Sequence, residues 1–443
     1  MAESMLISED ETAVRALLDL AHAHDEWPKG PPPAFIQMLE QFARFGTGDD
    51  RLWDSPDKLF AMAHHAWRAS ANRRPGEAVI DLDVKARNES AKSLEKDLVL
   101  TITTDDKPFL VDSITSVLTE AGKSIRFFVN ILTDNARGKD GERQHSGPSM
   151  RESTIYAQLD PPIDNAEIEY LNAQLHEALA DVAAAVTDWE KMRQCLGDAI
   201  TQLGQLRLDN YSDEDLQENI AFLNWLLNDH FSFLGVRRYN CRTTPTGLEF
   251  EHDPSGDLGV LKNPKRRILK NTFSKAGELS AAVEAFLASD EPLLIAKSNS
   301  KSLVHRYVYQ DYIGIKRYDD DGKMIGEDRF IGLYTADAYN RPASDIPLLR
   351  RKVQKVLDDS PFSAGGHNEK ALLNILETYP RDELFQVDVE TIGETSLEIL
   401  RLYKRPRVKL ILRRDRFDRY ISCLLYTSPS PRDQRGSRMP SSA

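Results

Sequence analysis

Cysteine is scarce in this 443-residue chain: Cys195, Cys241 and Cys423 are the only three, and they lie far apart. So few dispersed thiols exclude a disulfide framework and suit a reducing compartment. Positive charge is in deficit too, with 57 Lys and Arg against 70 Asp and Glu, a net charge of −13. That balance argues against a chain built to bind nucleic acid. No run approaches the ~20 apolar residues that a membrane-crossing helix requires. The opening stretch MAESMLISEDETAV is acidic and has no apolar centre, so it does not read as a secretory signal. The expectation is a soluble cytoplasmic protein with neither nucleic acid nor membrane as partner.

Loops that cradle phosphates are also missing. Gly46-Thr47-Gly48 is the sole GxG, no strand precedes it, and Arg51 stands where a dinucleotide fingerprint needs its third glycine. No GxxxxGK[ST] run occurs. Asp319–Asp328 (DDDGKMIGED) has some likeness to a calcium loop, but Arg317 falls at the first ligand position, and turn chemistry accounts for the stretch better. His22, His24, His64 and His65 have no cysteine or carboxylate at a recognised metal-ligand spacing, so they read as helix surface and no metal site is expected. The basic cluster KNPKRRILK (Lys262–Lys270) could receive a carboxylate or phosphate, or simply face solvent. From the residues alone, no catalytic residue and no cofactor-binding residue can be named.

What is present is ordinary globular chemistry, 41% hydrophobic and 29% charged, over a length that suits roughly three domains. Residues 1–90 read as mainly helical; in SPDKLFAMAHHAWRAS, Leu59, Phe60, Ala63 and Trp67 recur at helical spacing after Ser55-Pro56. The texture changes over 91–200. Leu98, Leu100 and Ile102 alternate with Val99, Thr101 and Thr103 as in a strand, and Leu110, Ile114, Val117 and Leu118 mark a helical face that Gly122 closes. Strands IRFFVNILTDN and ESTIYAQLDPP follow, then a long helix from about Asn165 to Leu196. This β-α-β-β-α order approaches the split, ferredoxin-like pattern.

A further mixed α/β domain with an antiparallel sheet is expected over 205–380. A helix and a hairpin pattern follow over 384–424, and five serines and three prolines crowd the last seventeen residues. The fold class is therefore α/β (α+β) and multidomain. Between the first strand and first helix of the ferredoxin-like unit lie Asp105, Asp106 and Pro108. A strand that ends in Asp and opens a Pro-started helix leaves backbone amides free, which favours an anionic group nearby; helix capping explains the same residues.

DDKPFLVDSI (Asp105–Ile114) resembles the first turn of an ACT regulatory domain, with Phe109 where such modules carry glycine. That glycine lets an amino-acid ligand approach the backbone. HRYVYQDYIGIKRYDDDGKMIGEDRFIGLYTADAYN, DIPLLRRKVQKVLDDS, KALLNILETYPRDELFQ and RRDRFDRYISCL together resemble the large bacterial NAD-specific glutamate dehydrogenases, in the same order along the chain. The resemblance implies a longer polypeptide whose dehydrogenase core, with NAD as cofactor, comes after the region seen here. It implies a first ACT-type domain over 97–196 and the start of a second over 384–424. It also implies self-association through ACT-type sheets, and a small amino-acid effector as candidate ligand. None of the family's catalytic or NAD-binding residues has a counterpart in this sequence.

LLYTSPSPRDQRGSRMPSSA, by contrast, resembles a translated library adaptor joined to an interrupted frame, so residues 425–443 are expected to be disordered. The chain then reads as an inactive N-terminal, regulatory and assembly portion of such an enzyme. The alternative is a free-standing ACT-type amino-acid sensor or structural interaction protein. An interrupted second sheet would leave Ile421–Leu425 short of a partner strand, so removal of 384–443 is expected to improve solubility.

Overall fold

A computed structural model describes residues 2–46, 55–86, 96–144, 147–162, 164–208, 211–244, 247–266, 286, 289–404, 407–415 and 420–426. The GxG at 46–48, most of GELSAAVEAFLAS (277–289, which reads as a helix), the turn at 416–419 and the Ser/Pro-rich tail fall wholly or partly outside those residues. The chain forms two units, Met1–Val186 with Ser302–Val308, and Thr187–Lys301 with Tyr309–Ala443.

The first unit contains α1 (Ala2–Ala23), α2 (Pro33–Gly46), α3 (Pro56–Ala69), β1 (Val79–Ala86), β2 (Lys96–Asp105), α4 (Leu110–Glu120), β3 (Ile125–Arg137), β4 (Arg143–Gln144), β5 (Ser149–Leu159) and α5 (Asn165–Thr187). Its sheet runs β1-β2-β5-β3-β4 with antiparallel neighbours throughout. The β2-α4-β3-β5-α5 path is the expected ferredoxin-like one, and β1 pairs with β2 at the edge where a fourth strand would close that pattern. The edge strand therefore precedes the unit in sequence. It lies before residue 90, where a helical region was expected to end, because Val79, Ile80 and Leu82 continue the pairing that β2 offers.

Strand alternation covers both faces of this sheet. Val99, Phe127, Val129, Ile131 and Tyr156 pack with α1, α2 and α3 through Leu17, Phe35, Met38, Leu39, Phe42, Ala63 and Trp67. The alternate set, Leu98, Leu100, Ile102, Ile155, Ala157 and Leu159, is equally buried, as are Ile114, Val117 and Leu118 of α4 and Leu171, Leu175 and Val182 of α5. At α4's end Gly122 turns left-handed at φ 71°, as its expected capping role requires.

The second unit begins at α6 (Trp189–Gln205) and α7 (Asp213–Trp225). The single helix expected from 165 to 196 is broken at Asp188. This buried carboxylate accepts from the amide of Gly259 at 2.9 Å and pairs with Lys262 at 2.5 Å. Helix α6 thus belongs with the second unit, and the boundary falls earlier than residue 200. The Ser212 hydroxyl caps α7 by accepting from the Asp215 amide.

A second antiparallel sheet runs β7-β6-β10-β9-β8, from β6 (Phe231–Thr244), β7 (Gly247–Gly259), β8 (Leu293–Lys301), β9 (Tyr309–Tyr318) and β10 (Met324–Tyr334). The β9–β10 turn is held by Asp319, whose Oδ1 accepts from the amides of Lys323 and Asp321, the turn chemistry expected of that acidic run. Beyond it lie α8 (Ala336–Asn340), α9 (Leu349–Asp358), α10 (His367–Thr378), α11 (Arg381–Gln386), α12 (Val389–Lys404) and the hairpin β11 (Lys409–Arg414)–β12 (Ile421–Tyr426). Phe233, Val236, Ile313, Ile315 and Phe330 of the sheet share one core with Leu223, Val353, Leu376, Phe385, Ile392 and Ile399 of these helices. The opposite face sets a polar network among buried Leu294, Ala296 and Ile331: Arg329 donates to Glu327 at 2.8 Å and lies 4.1 Å over the Tyr239 ring, and Tyr312 also donates to Glu327. Gly314 leaves the space this requires, since a Cβ there would sit 2.3 Å from Glu327 Oε1.

Candidate functional site

The turn from β2 into α4 was the strongest sequence candidate, and the structure surrounds it with charge that the sequence does not place there. Asp105 ends β2. Its carboxylate accepts from Arg73 Nη1 at 2.8 Å, the Gly76 amide at 3.1 Å and Lys107 Nζ at 3.3 Å. Burial raises the Asp105 pKa, but the Arg73 hydrogen bond and the charges of Lys107 and Arg73 outweigh it, so the carboxyl is held below its ordinary value. These partners, and not the first amides of α4, take up the carboxylate.

Arg73 carries the network inward. Its Nη2 donates to Glu152 Oε1 at 2.7 Å, and Arg137 donates to both Glu152 oxygens at 2.8 Å. Asn135 Nδ2 supplies a further bond at 2.9 Å. Glu152 is wholly buried and Arg73 almost so. Burial pushes the Glu152 pKa up, yet the hydrogen bonds and charges of Arg137 and Arg73 bring it down overall. Arg137 also donates to the carbonyls of Ser70, Ala71 and Gly141, so the network ties the α3–β1 connection to the sheet. Two arginines on one carboxylate satisfy a buried ion that would otherwise be costly.

Asp106 and Pro108 are exposed. The Asp106 amide donates to the Arg151 carbonyl at 3.2 Å, continuing the β2–β5 ladder by one residue. Pro108 precedes α4 instead of sitting inside it; Phe109 holds the N-cap position with φ 70°, left-handed, and makes no side-chain cap. A glycine would take this backbone freely, whereas a bulky residue needs surrounding contacts to hold it.

Those contacts come from residues 302–308. The ring of His305 lies 5.4 Å from that of Phe109. The His305 amide donates to Ser113 Oγ at 2.9 Å, its carbonyl accepts from Ser116 Oγ at 3.3 Å, and its imidazole Nδ1 lies 2.7 Å from Asp112 Oδ2. His305 is itself left-handed at φ 67°. The first turn of α4 is thus packed against the chain's own loop.

Sequence reasoning named Asp105, Asp106 and Pro108 but not Arg73, Arg137, Glu152 or His305. The one available signal was Glu152, a charge inside the strand ESTIYAQL. Of the four histidines assigned to helix surface, His65 lies 3.2 Å from Asp81, and His64 and His24 approach each other and Glu26.

Residues 38–175 match the ACT1 domain of glutamate dehydrogenase, and residues 346–405 match its helical motif 1. The chain is 38% identical over 338 residues to the NAD-specific glutamate dehydrogenase of Halomonas elongata and 34% identical over 337 residues to that of Pseudomonas aeruginosa. Over these residues the chain is similar to the NAD-specific glutamate dehydrogenases. The enzyme of that name from Mycobacterium tuberculosis is 26% identical over 332 residues. The first two alignments cover 74% of this chain and 20% of each relative, so the chain spans about a fifth of the length of the glutamate dehydrogenases it matches. A solved RNA-binding light-oxygen-voltage receptor aligns with 64% of this chain and 84% of its own at 8% identity, but a TM-score of 0.14 relates no fold.

The ACT1 match takes in α2, α3 and β1 as well as the ferredoxin-like strands. The helical motif runs through α12 to residue 405, so the helix expected to open a second ACT-type domain at 384 groups with the helices before it. Among the described residues, the β11–β12 hairpin lies beyond.

Proposed function

We propose that this chain is the N-terminal regulatory and assembly portion of an NAD-dependent glutamate dehydrogenase. The complete polypeptide would oxidise L-glutamate to 2-oxoglutarate and ammonium, passing hydride to NAD in a catalytic domain downstream of these residues. The observation that carries this reading is the succession of the ACT1 domain and helical motif 1 in one chain, at 38% identity to a much longer enzyme. NAD is assigned to the full-length enzyme, in the cytoplasm, and no residue here is given a catalytic or cofactor-binding role.

Within that reading the ACT1 unit serves packing and self-association. Phe109 occupies the glycine position, and His305 uses the hydroxyl of Ser113 and the carboxylate of Asp112 at the turn where an effector would be read. Among the described residues β1 is an edge strand, and its outer side would receive a neighbouring sheet.

The test is the source DNA beyond codon 424. Independent libraries whose frame continues into a dinucleotide-binding domain support the proposal; libraries that agree on a stop within the Ser/Pro tail overturn it. The purified chain should produce no NADH from glutamate and NAD, and measurable turnover would refute its assignment as a non-catalytic portion.

A further inference from the structure

Away from the ACT-type turn, the first unit brings three metal-ligating side chains together from two segments. His24 and Glu26 lie in the connection that leaves α1, and His64 lies on α3, 38 residues beyond Glu26. One ligand atom from each falls within 4.8 Å of the other two. His64 Nε2 is 2.6 Å from Glu26 Oε2, and the imidazoles of His24 and His64 are 4.6 Å apart between centroids, tilted by 57°.

We propose that His24, Glu26 and His64 form a binding site for a divalent transition metal of the zinc type. Two imidazoles and one carboxylate are a donor set that such ions accept, with water completing four-coordination. Ligands at ~2.0–2.2 Å from one ion stand a little over 3 Å apart. The 2.6 Å His64–Glu26 contact would open slightly as the metal replaces the shared proton, and His24 would close in. The bonds given up are few: that one, and a long 3.3 Å bond from the Glu26 amide to His24 Nδ1.

The surroundings suit a bound ion on both sides. Phe60 stacks on His64 at 5.8 Å and 12°, Trp27 meets it edge-on at 5.6 Å, and Phe35 does so at 6.4 Å. This wall excludes water behind the imidazoles and fixes their planes. Glu26 is exposed, and the side chain of His64 keeps 17% exposure, which leaves an open side for ion entry and for a water ligand. The spacing hid the site, because no short motif joins residues 24 and 64. A metal there would staple the α1–α2 connection to α3, the helix whose end the Arg137–Glu152 network holds.

The test uses the purified full chain, stripped of metal by chelator and dialysed. Zinc titration by calorimetry should show one site per chain. Cobalt(II) at the same site should give the visible absorption of a low-coordinate complex and shift the histidine ring proton signals. Glu26→Gln, which changes an exposed side chain, and His64→Gln should each weaken zinc binding by about tenfold or more, with unchanged circular dichroism in its absence. Zinc should raise the melting temperature of the native chain and not of His64→Gln. Failure to bind would overturn the proposal, as would zinc affinity that neither substitution alters, because the ion would then sit on other histidines or on the cysteines.

Discussion

The backbone amide of His305 donates to the Ser113 hydroxyl at 2.9 Å, joining positions 192 residues apart in sequence. Ser113 in turn donates to the carbonyl of Phe109 at 2.6 Å, so one hydroxyl links the loop to the left-handed residue that opens α4. This relationship sets what the ACT1 turn has left to offer a ligand.

Because that hydroxyl and Asp112 are engaged, free amino acids, glutamate included, should give no binding heat with the native chain. A His305→Gly, Ser113→Ala double variant should lose the loop contact and expose the turn to proteolysis. If the native chain binds an amino acid, and Asp106→Ala or Ser113→Ala abolishes that binding, the sensor reading replaces the structural one.

Glu152 should be the residue of the first unit least tolerant of change. In Glu152→Ala, Arg73 and Arg137 would remain buried without their shared carboxylate, a loss on the order of 3–5 kcal/mol when one partner of a buried pair is removed. Chemical unfolding followed by circular dichroism measures it, and an unchanged midpoint would show that the network contributes nothing to stability.

The same network fixes a direction with pH. The Asp105 and Glu152 carboxyls both have depressed pKa values in the folded chain. The unfolded chain therefore binds more protons as acid is added, and stability present above about pH 4 falls as the pH drops through the depressed values. Unfolding free energy recorded from neutral to acid pH should decline there. The decline should be shallower in Glu152→Gln, whose amide does not titrate; equal slopes would contradict the assignment.

The β11–β12 hairpin should govern solubility. Register places Leu410 opposite Leu425 and Leu412 opposite Cys423, and this face, with Ile421, is largely exposed, Ile421 at 67%. The other face is engaged: Ile411 and Leu424 pack on the core, and Arg413 pairs with Glu383 at 2.7 Å. Removing residues 384–443, the cut that sequence reasoning favours, would strip Leu384, Phe385, Ile392 and Ile399 from the second unit's core and should worsen aggregation. Removing 406–443, or the pair Leu412→Lys and Leu425→Glu, should reduce it. Light scattering against concentration distinguishes these outcomes, and equal behaviour of the two truncations would refute the core role of α12.

Much of this chain was legible one residue at a time. Period-two alternation in Leu98–Thr103 and period-3.6 stripes in Leu110–Leu118 fixed a strand and a helix, because both signals are local consequences of backbone geometry. Gly122 marked a helix end for the same reason, the order of strand and helix carried the ferredoxin-like path, and four stretches of sequence carried the resemblance to the glutamate dehydrogenases. Tertiary structure alone decided which distant groups would meet. Asp188 broke a continuous helical pattern because the Gly259 amide and Lys262 needed its carboxylate. Arg73 found Glu152 across 79 positions, His305 found Ser113, and His24 and Glu26 met His64. A buried charge must be neutralised by whatever partner the fold delivers, and a linear sequence holds no measure of that distance.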